Sequence, residues 1–166
     1  MAQATGVAPP GLRGHSAVVS WGETRVQRRQ GAPNFHEVAA DMKVRLYFST
    51  EGRLFGSLSL QVNGRSGGVE QLVGEKNALR PWAANFERGS MNFFLPLADR
   101  SAIRRIAMTF DAGLQSCAAT VTLAKQAGTQ IMRAISPITH EVIELQSIAP
   151  GAATCVLQDG NIFDAK

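Results

Sequence analysis

The segment KVRLYFSTEGRLFGSLSLQVNG, residues 43–64, constrains the fold more than any other part of this chain. Val44, Leu46 and Phe48 alternate with Lys43, Arg45, Tyr47 and Ser49. Beyond a turn, Leu54, Leu58, Leu60 and Val62 alternate with Arg53, Phe55, Ser57, Ser59 and Gln61. A two-residue period belongs to a strand with one buried face, whereas a helix repeats every 3.6 residues or so. Placing Ser49 opposite Arg53 leaves Thr50-Glu51-Gly52 as the loop. Three-residue hairpin loops end in the left-handed region, which glycine enters without steric cost. This register predicts Phe48 opposite Leu54 and Val44 opposite Leu58 on the core face, with Tyr47 opposite Phe55 on the other.

The same period recurs elsewhere. Met91, Phe93, Leu95 and Leu97 share a face, and Pro96 marks an edge strand or a strand end because it cannot donate to a ladder. Ile106, Met108 and Phe110 form one half of a second hairpin, and Cys117, Ala119, Val121 and Leu123 form the other. An even loop, Ala112-Gly113 or Ala112–Gln115, keeps both apolar sets on one face and turns Cys117 inward. A short strand is expected near Glu70–Val73 within an otherwise turn-rich stretch, 64–90. Thr129–Ile135, His140–Ile148 and Thr154–Leu157 read as strands separated by Ser136-Pro137 and Pro150-Gly151. SPITHEVIEL could start a helix, since Ser-Pro suits a helix N-terminus, but β-branched Val142, Ile143 and Ile148 favour strand. Eight or nine short strands imply an all-β, single-domain antiparallel sandwich; a small closed lipocalin-like barrel is the alternative. Residues 1–14, with Pro9-Pro10 and three glycines, read as a flexible lead-in to one β domain over 15–166.

Composition narrows the setting. Only 18% of residues are charged and 45% are apolar, which argues against disorder. The net charge of +4 comes from 17 basic residues, 13 of them arginine, scattered along the chain. Nucleic-acid binders concentrate such charge on one face, so this distribution argues against nucleic acid. The apolar stretches are far too short to span a membrane as helices. Ala2-Gln3-Ala4 has the small-x-small form found before a signal-peptidase cut, which suggests a periplasmic or secreted protein. In that setting an even cysteine count predicts one disulfide, Cys117–Cys155, 38 positions apart.

Two surfaces are candidates for binding. The outward aromatics Tyr47 and Phe55, flanked by Arg45 and Arg53, could stack on a sugar or a partner side chain, unless a loop carrying Trp82 and Phe86 covers them. The second is SWGETRVQRRQG, residues 20–31. A bulge at Gly22 would align Val19 and Trp21 with Thr24 and Val26, turning Glu23, Arg25 and Gln27 to solvent. Arg25, Arg28 and Arg29 then form either a solvated strand end or an anion-binding rim, extended if Arg104, Arg105 or Arg13 folds nearby.

Motifs of catalysis do not appear. His15, His36 and His140 lack metal-ligand spacing, so neither a metal nor a cofactor is expected, and no nucleophile elbow or phosphate loop is present. Glu141 and Glu144 would share a face only on a helix. The segments LRGHSAVVSWGETRVQRRQGAPNF, RIAMTFDAGLQSCAATVTLAK and GAATCVLQDGNIF resemble small exported alphaproteobacterial proteins of unassigned function. That resemblance, over residues 12–163, implies export and a cysteine pair and no activity. The expected role is a non-catalytic binding or structural one, toward an envelope or extracellular glycan or a protein partner. The alternatives are a small-barrel carrier of an apolar ligand and an enzyme with a spatially assembled site.

Overall fold

The computed structural model describes residues 10–62, 65–73, 84–87, 89–97, 101–136 and 140–164. The described residues form ten strands: β1 (His15–Arg29), β2 (His36–Phe48), β3 (Leu54–Val62), β4 (Arg65–Val73), β5 (Ala84–Glu87), β6 (Ser90–Pro96), β7 (Ala102–Phe110), β8 (Cys117–Lys125), β9 (Met132–Ile135) and β10 (Val142–Asp159). They make two antiparallel sheets, ordered β4-β3-β2-β1-β10-β9 and β5-β6-β7-β8. Neither sheet closes on itself, so the architecture is a sandwich and not the lipocalin-like barrel. Among the described residues helix is confined to 3-10 turns at Pro10–Leu12 and Ile162–Asp164. Among the described residues no helix is long and apolar enough to cross a membrane.

The first hairpin has the predicted register: Phe48 faces Leu54, Tyr47 faces Phe55 and Val44 faces Leu58. The Ser49 amide donates to the Arg53 carbonyl at 2.8 Å, and Gly52 closes the loop at φ +87°. A Cβ at that φ is strained, so Gly52→Ala is expected to cost about 1 kcal/mol, read as a lower urea midpoint with an unchanged slope. The second hairpin takes the four-residue option. Asp111 donates its amide to Ser116 O at 3.2 Å, and its carboxylate accepts from the amides of Gln115 and Ser116.

The favoured strand reading of SPITHEVIEL holds from Val142 on, with residues 137–139 outside the described set. Two expectations change. The described residues of stretch 64–90 yield two strands, a longer β4 and a short β5, where one short strand was expected. Pro150-Gly151 does not end a strand, because β10 runs through it by bulging. Trp21 pairs with Ala153 and Glu23 with Pro150, so β10 carries one extra residue there; a second shift lies between Val26 and Gln27. The missing amide of Pro150 and the compactness of Gly151, whose Cβ would lie 3.1 Å from the Gly22 carbonyl oxygen, suit a bulge where backbones crowd. Pro96 does sit at the end of β6, beyond the residues paired to β5. Of the lead-in, residues 1–9 lie outside the described set, while Leu12 is packed in the core.

The core lies between the sheets in two clusters. The larger gathers Val19, Trp21, Met42, Val44, Leu46, Phe48, Phe93, Ile106 and Met108, among others, with Phe48 meeting Phe86 and Phe110 edge-on. The smaller holds Leu97, Ala102, Met132, Leu145 and Ile148. The Cys117–Cys155 disulfide forms, joining β8 of one sheet to β10 of the other with Cα atoms 5.4 Å apart.

Candidate functional site

The hairpin's period-2 pattern fixes what its outer face displays. Tyr47 and Phe55 are half-buried and stacked, their ring centroids 6.4 Å apart at 29° between planes. Arg45 lies one pleat along β2 from Tyr47, followed by exposed Lys43, and exposed Arg53 precedes Phe55 by two residues. The four therefore share one face of a hydrogen-bonded pair of strands. Ser16 on β1, opposite Tyr47, is fully buried. Its hydroxyl donates to the Gly160 carbonyl at 2.6 Å and accepts from the Ile162 amide at 2.9 Å, so it pins the C-terminal turn beside this face. The aromatic cover weighed for Tyr47 and Phe55 does not come from Phe86, which is buried in the core against Phe48; Trp82 lies outside the described residues.

The arginine rim is distributed differently from expectation. Strand register sets Arg28 opposite Glu144, and Glu144 opposite Arg133. Arg28 Nε donates to Glu144 at 2.8 Å, Arg133 stands 3.5 Å from the other carboxylate oxygen, and the Arg28 guanidinium lies 4.3 Å over the Phe35 ring. Arg29 pairs with Glu141 at 3.0 Å. Arg28 and Arg29 thus already hold carboxylates of this chain. Arg105 is exposed and donates to Asn92.

Arg25 is not on the rim at all. Because the bulge falls in β10 and the β1–β2 register runs unbroken past Gly22, the parity of Val19 and Trp21 continues into Glu23 and Arg25. Both point into the sandwich, and Thr24 faces out. Arg104, on the inward row of β7 between Ala102 and Ile106, meets them from the opposite sheet. Glu23 Oε2 accepts from Trp21 Nε1 at 2.9 Å and from Arg104 Nε at 2.7 Å. Its Oε1 accepts from Arg104 Nη2 at 2.9 Å and from Arg25 Nη2 and Nε at 3.0 and 3.2 Å. Arg25 Nη2 also lies 3.4 Å from Met42 Sδ. Along the inward rows this ionic layer stands between the larger and smaller apolar clusters. Burial pushes the Glu23 carboxyl up, but the charge and hydrogen bonds of Arg104, the charge of Arg25 and the Trp21 indole outweigh it and hold Glu23 below the ordinary carboxylate range.

Glu23 carried no functional weight in the sequence, and Arg104 entered only as an extension of the rim. The available signal was their place on apolar parities, after Val19 and Trp21 and among Ala102, Ile106, Met108 and Phe110. A charge on such a row is either turned out by a bulge or paired inside.

The histidines stay apart. His15 Nε2 lies 3.0 Å from Asp159, and His36 and His140 are exposed. Among the described residues no group of three or more His, Cys, Asp or Glu could hold a metal ion. An open depression of about 440 Å³ beside β9 is lined by Ser101, Gln126, Thr129, Gln130, Arg133 and neighbours, a polar lining unsuited to an apolar cargo. No family model, curated protein or solved structure matches the chain.

Proposed function

We propose that this protein is an exported, non-catalytic binding module whose hairpin face, built by Tyr47, Phe55, Arg45 and Arg53, takes an envelope or extracellular glycan. The observation that supports this reading is the stacked Tyr47–Phe55 pair on the outer side of the six-stranded sheet, with basic side chains along the same strands. Ring faces suit the C–H face of a pyranose, and guanidinium groups suit its hydroxyl or carboxylate oxygens. A cross-sheet disulfide accords with an oxidising compartment.

Binding of purified neutral and acidic envelope polysaccharides, measured by calorimetry, tests it. Tyr47→Ala and Phe55→Ala are each expected to weaken binding about tenfold while the melting temperature moves little. Arg105→Ala, on the other sheet, is expected to leave binding unchanged. Absence of binding across the panel, or equal affinity in the alanine variants, sinks the reading; capture of a protein partner through the same residues would replace the glycan.

A further inference from the structure

β2 is an inner strand of the six-stranded sheet, and its burial alternates without a break from Val38 on. Glu37, Ala39, Asp41, Lys43, Arg45 and Tyr47 form its outward row. That row is ordered by charge: two carboxylates, Glu37 and Asp41, then two cations, Lys43 and Arg45, then Tyr47. Glu37, Asp41 and Lys43 are exposed and Arg45 is half-buried. The outward residues opposite Ala39 to Arg45 on β1 are Thr24, Gly22, Ser20 and Val18, and those opposite Asp41 to Arg45 on β3 are Gln61, Ser59 and Ser57, all uncharged. Size follows the same order. Ala39, Thr24 and Gly22 lie in the acidic half, while Arg45, Tyr47 and Phe55 lie in the basic half.

A row that is acidic at one end and basic at the other complements itself when turned end for end. A two-fold axis along the cross-strand direction, between Asp41 and Lys43, stacks this face on a second copy with the two β2 strands antiparallel. Asp41 of each copy then meets Lys43 of the other, and each Arg45 stands over an Ala39, between a Glu37 and an Asp41. A parallel stacking would set Asp41 on Asp41 and Lys43 on Lys43, so charge selects the antiparallel one. Stacked sheets lie about 10 Å apart, a gap that a lysine or arginine side chain bridges to a carboxylate. From Glu37 to Tyr47 across β10, β1, β2 and β3 the footprint is about 650 Å² per copy, near the ~800 Å² per partner of a standard interface.

We propose that the outer face of the six-stranded sheet is a self-complementary interface whose partner is a second copy of this chain, paired antiparallel about an axis between Asp41 and Lys43. The pairing does not rest on the glycan reading. Since Tyr47 lies within the paired face, a glycan and a second copy exclude each other there.

Sedimentation equilibrium of the full chain, without polysaccharide and at low salt, tests this. The native chain is expected to dimerise with a Kd in the micromolar range, weakening as salt screens the charges. Asp41→Lys and Lys43→Asp each create like-charge contacts on both sides of the axis and are each expected to weaken association more than tenfold. Mixed in equal amounts, the two variants restore opposite charges at both contacts and are expected to associate as the native chain does. A native chain that stays monomeric up to about 1 mM, beyond the range of a specific interface of this size, overturns the proposal, and is the result if a polysaccharide or another protein is the partner instead. A dimer that the single substitutions leave intact, or a mixture that stays monomeric, also overturns it. Should either variant fail to fold, Asp41→Asn stands in: several-fold weaker association supports the pairing, and unchanged association overturns it.

Discussion

Replacing Glu23 with glutamine is expected to lower the unfolding free energy by about 3–5 kcal/mol, the scale for removing one partner of a buried ion pair. The substitution changes little in shape. It leaves two guanidinium groups facing each other between the sheets without a carboxylate, and it weakens the acceptor for the Trp21 indole. Urea unfolding monitored by Trp21 fluorescence is a direct measure, because that indole is buried and bonded to the replaced group. A variant as stable as the native chain would show that Glu23 does not hold the layer together. Replacing all three charges with apolar residues of similar volume is expected to recover most of the loss, since the desolvation cost then disappears along with the attraction.

The same residue sets part of the acid response. Glu23 titrates below its ordinary value of 4.5 in the folded chain, so the unfolded chain takes up its proton first as pH falls. The stabilisation is complete above the ordinary value and is lost as pH drops through the depressed one. Exposed Asp111, held low by amide hydrogen bonds from Ser116 and Gln115, acts in the same direction. Urea midpoints between about pH 3 and pH 6 should therefore fall on acidification, and less steeply in Glu23→Gln.

Removal of the Cys117–Cys155 bridge is the second large effect. With 38 positions between the cysteines, the chain-entropy model gives about 4 kcal/mol. The structure explains why the bond matters to the fold. β8 is the last strand of its sheet, and β10 beyond Glu144 and Leu145 has no β9 partner on its outer side. The disulfide ties these two borders, closing one flank of the sandwich. Unfolding with and without reductant, and of a Cys117→Ala/Cys155→Ala variant, should show the loss. Equal midpoints in oxidised and reduced protein would sink the argument, and alkylation without reductant should add no mass.

Legibility in the sequence followed local physics. The 43–62 hairpin was readable to the residue because alternation, a three-residue loop and Gly52 all depend on neighbours in the chain. The inward turn of Cys117 followed from the parity of the second hairpin, and the outward Tyr47–Phe55 pair from that of the first. The stretch 17–29 was misread because a bulge can lie in either of two paired strands. Sequence placed it at Gly22, but the extra residue belongs to β10, near Pro150-Gly151. That single displacement moves Glu23 and Arg25 from solvent to the interior.

What the sequence determined by itself is the strand content, the two hairpins, the cysteine pair and the face each hairpin residue occupies, because these depend on periodicity and turn chemistry over a few residues. Only the tertiary structure decided that β10 passes unbroken beside β1, that Arg28 and Arg29 find Glu144 and Glu141, and that Arg104 crosses 81 positions of chain to reach Glu23. Those contacts depend on which sheet packs on which and where a bulge relieves crowding. The free energy of burying a charge is set by partners that local sequence cannot name.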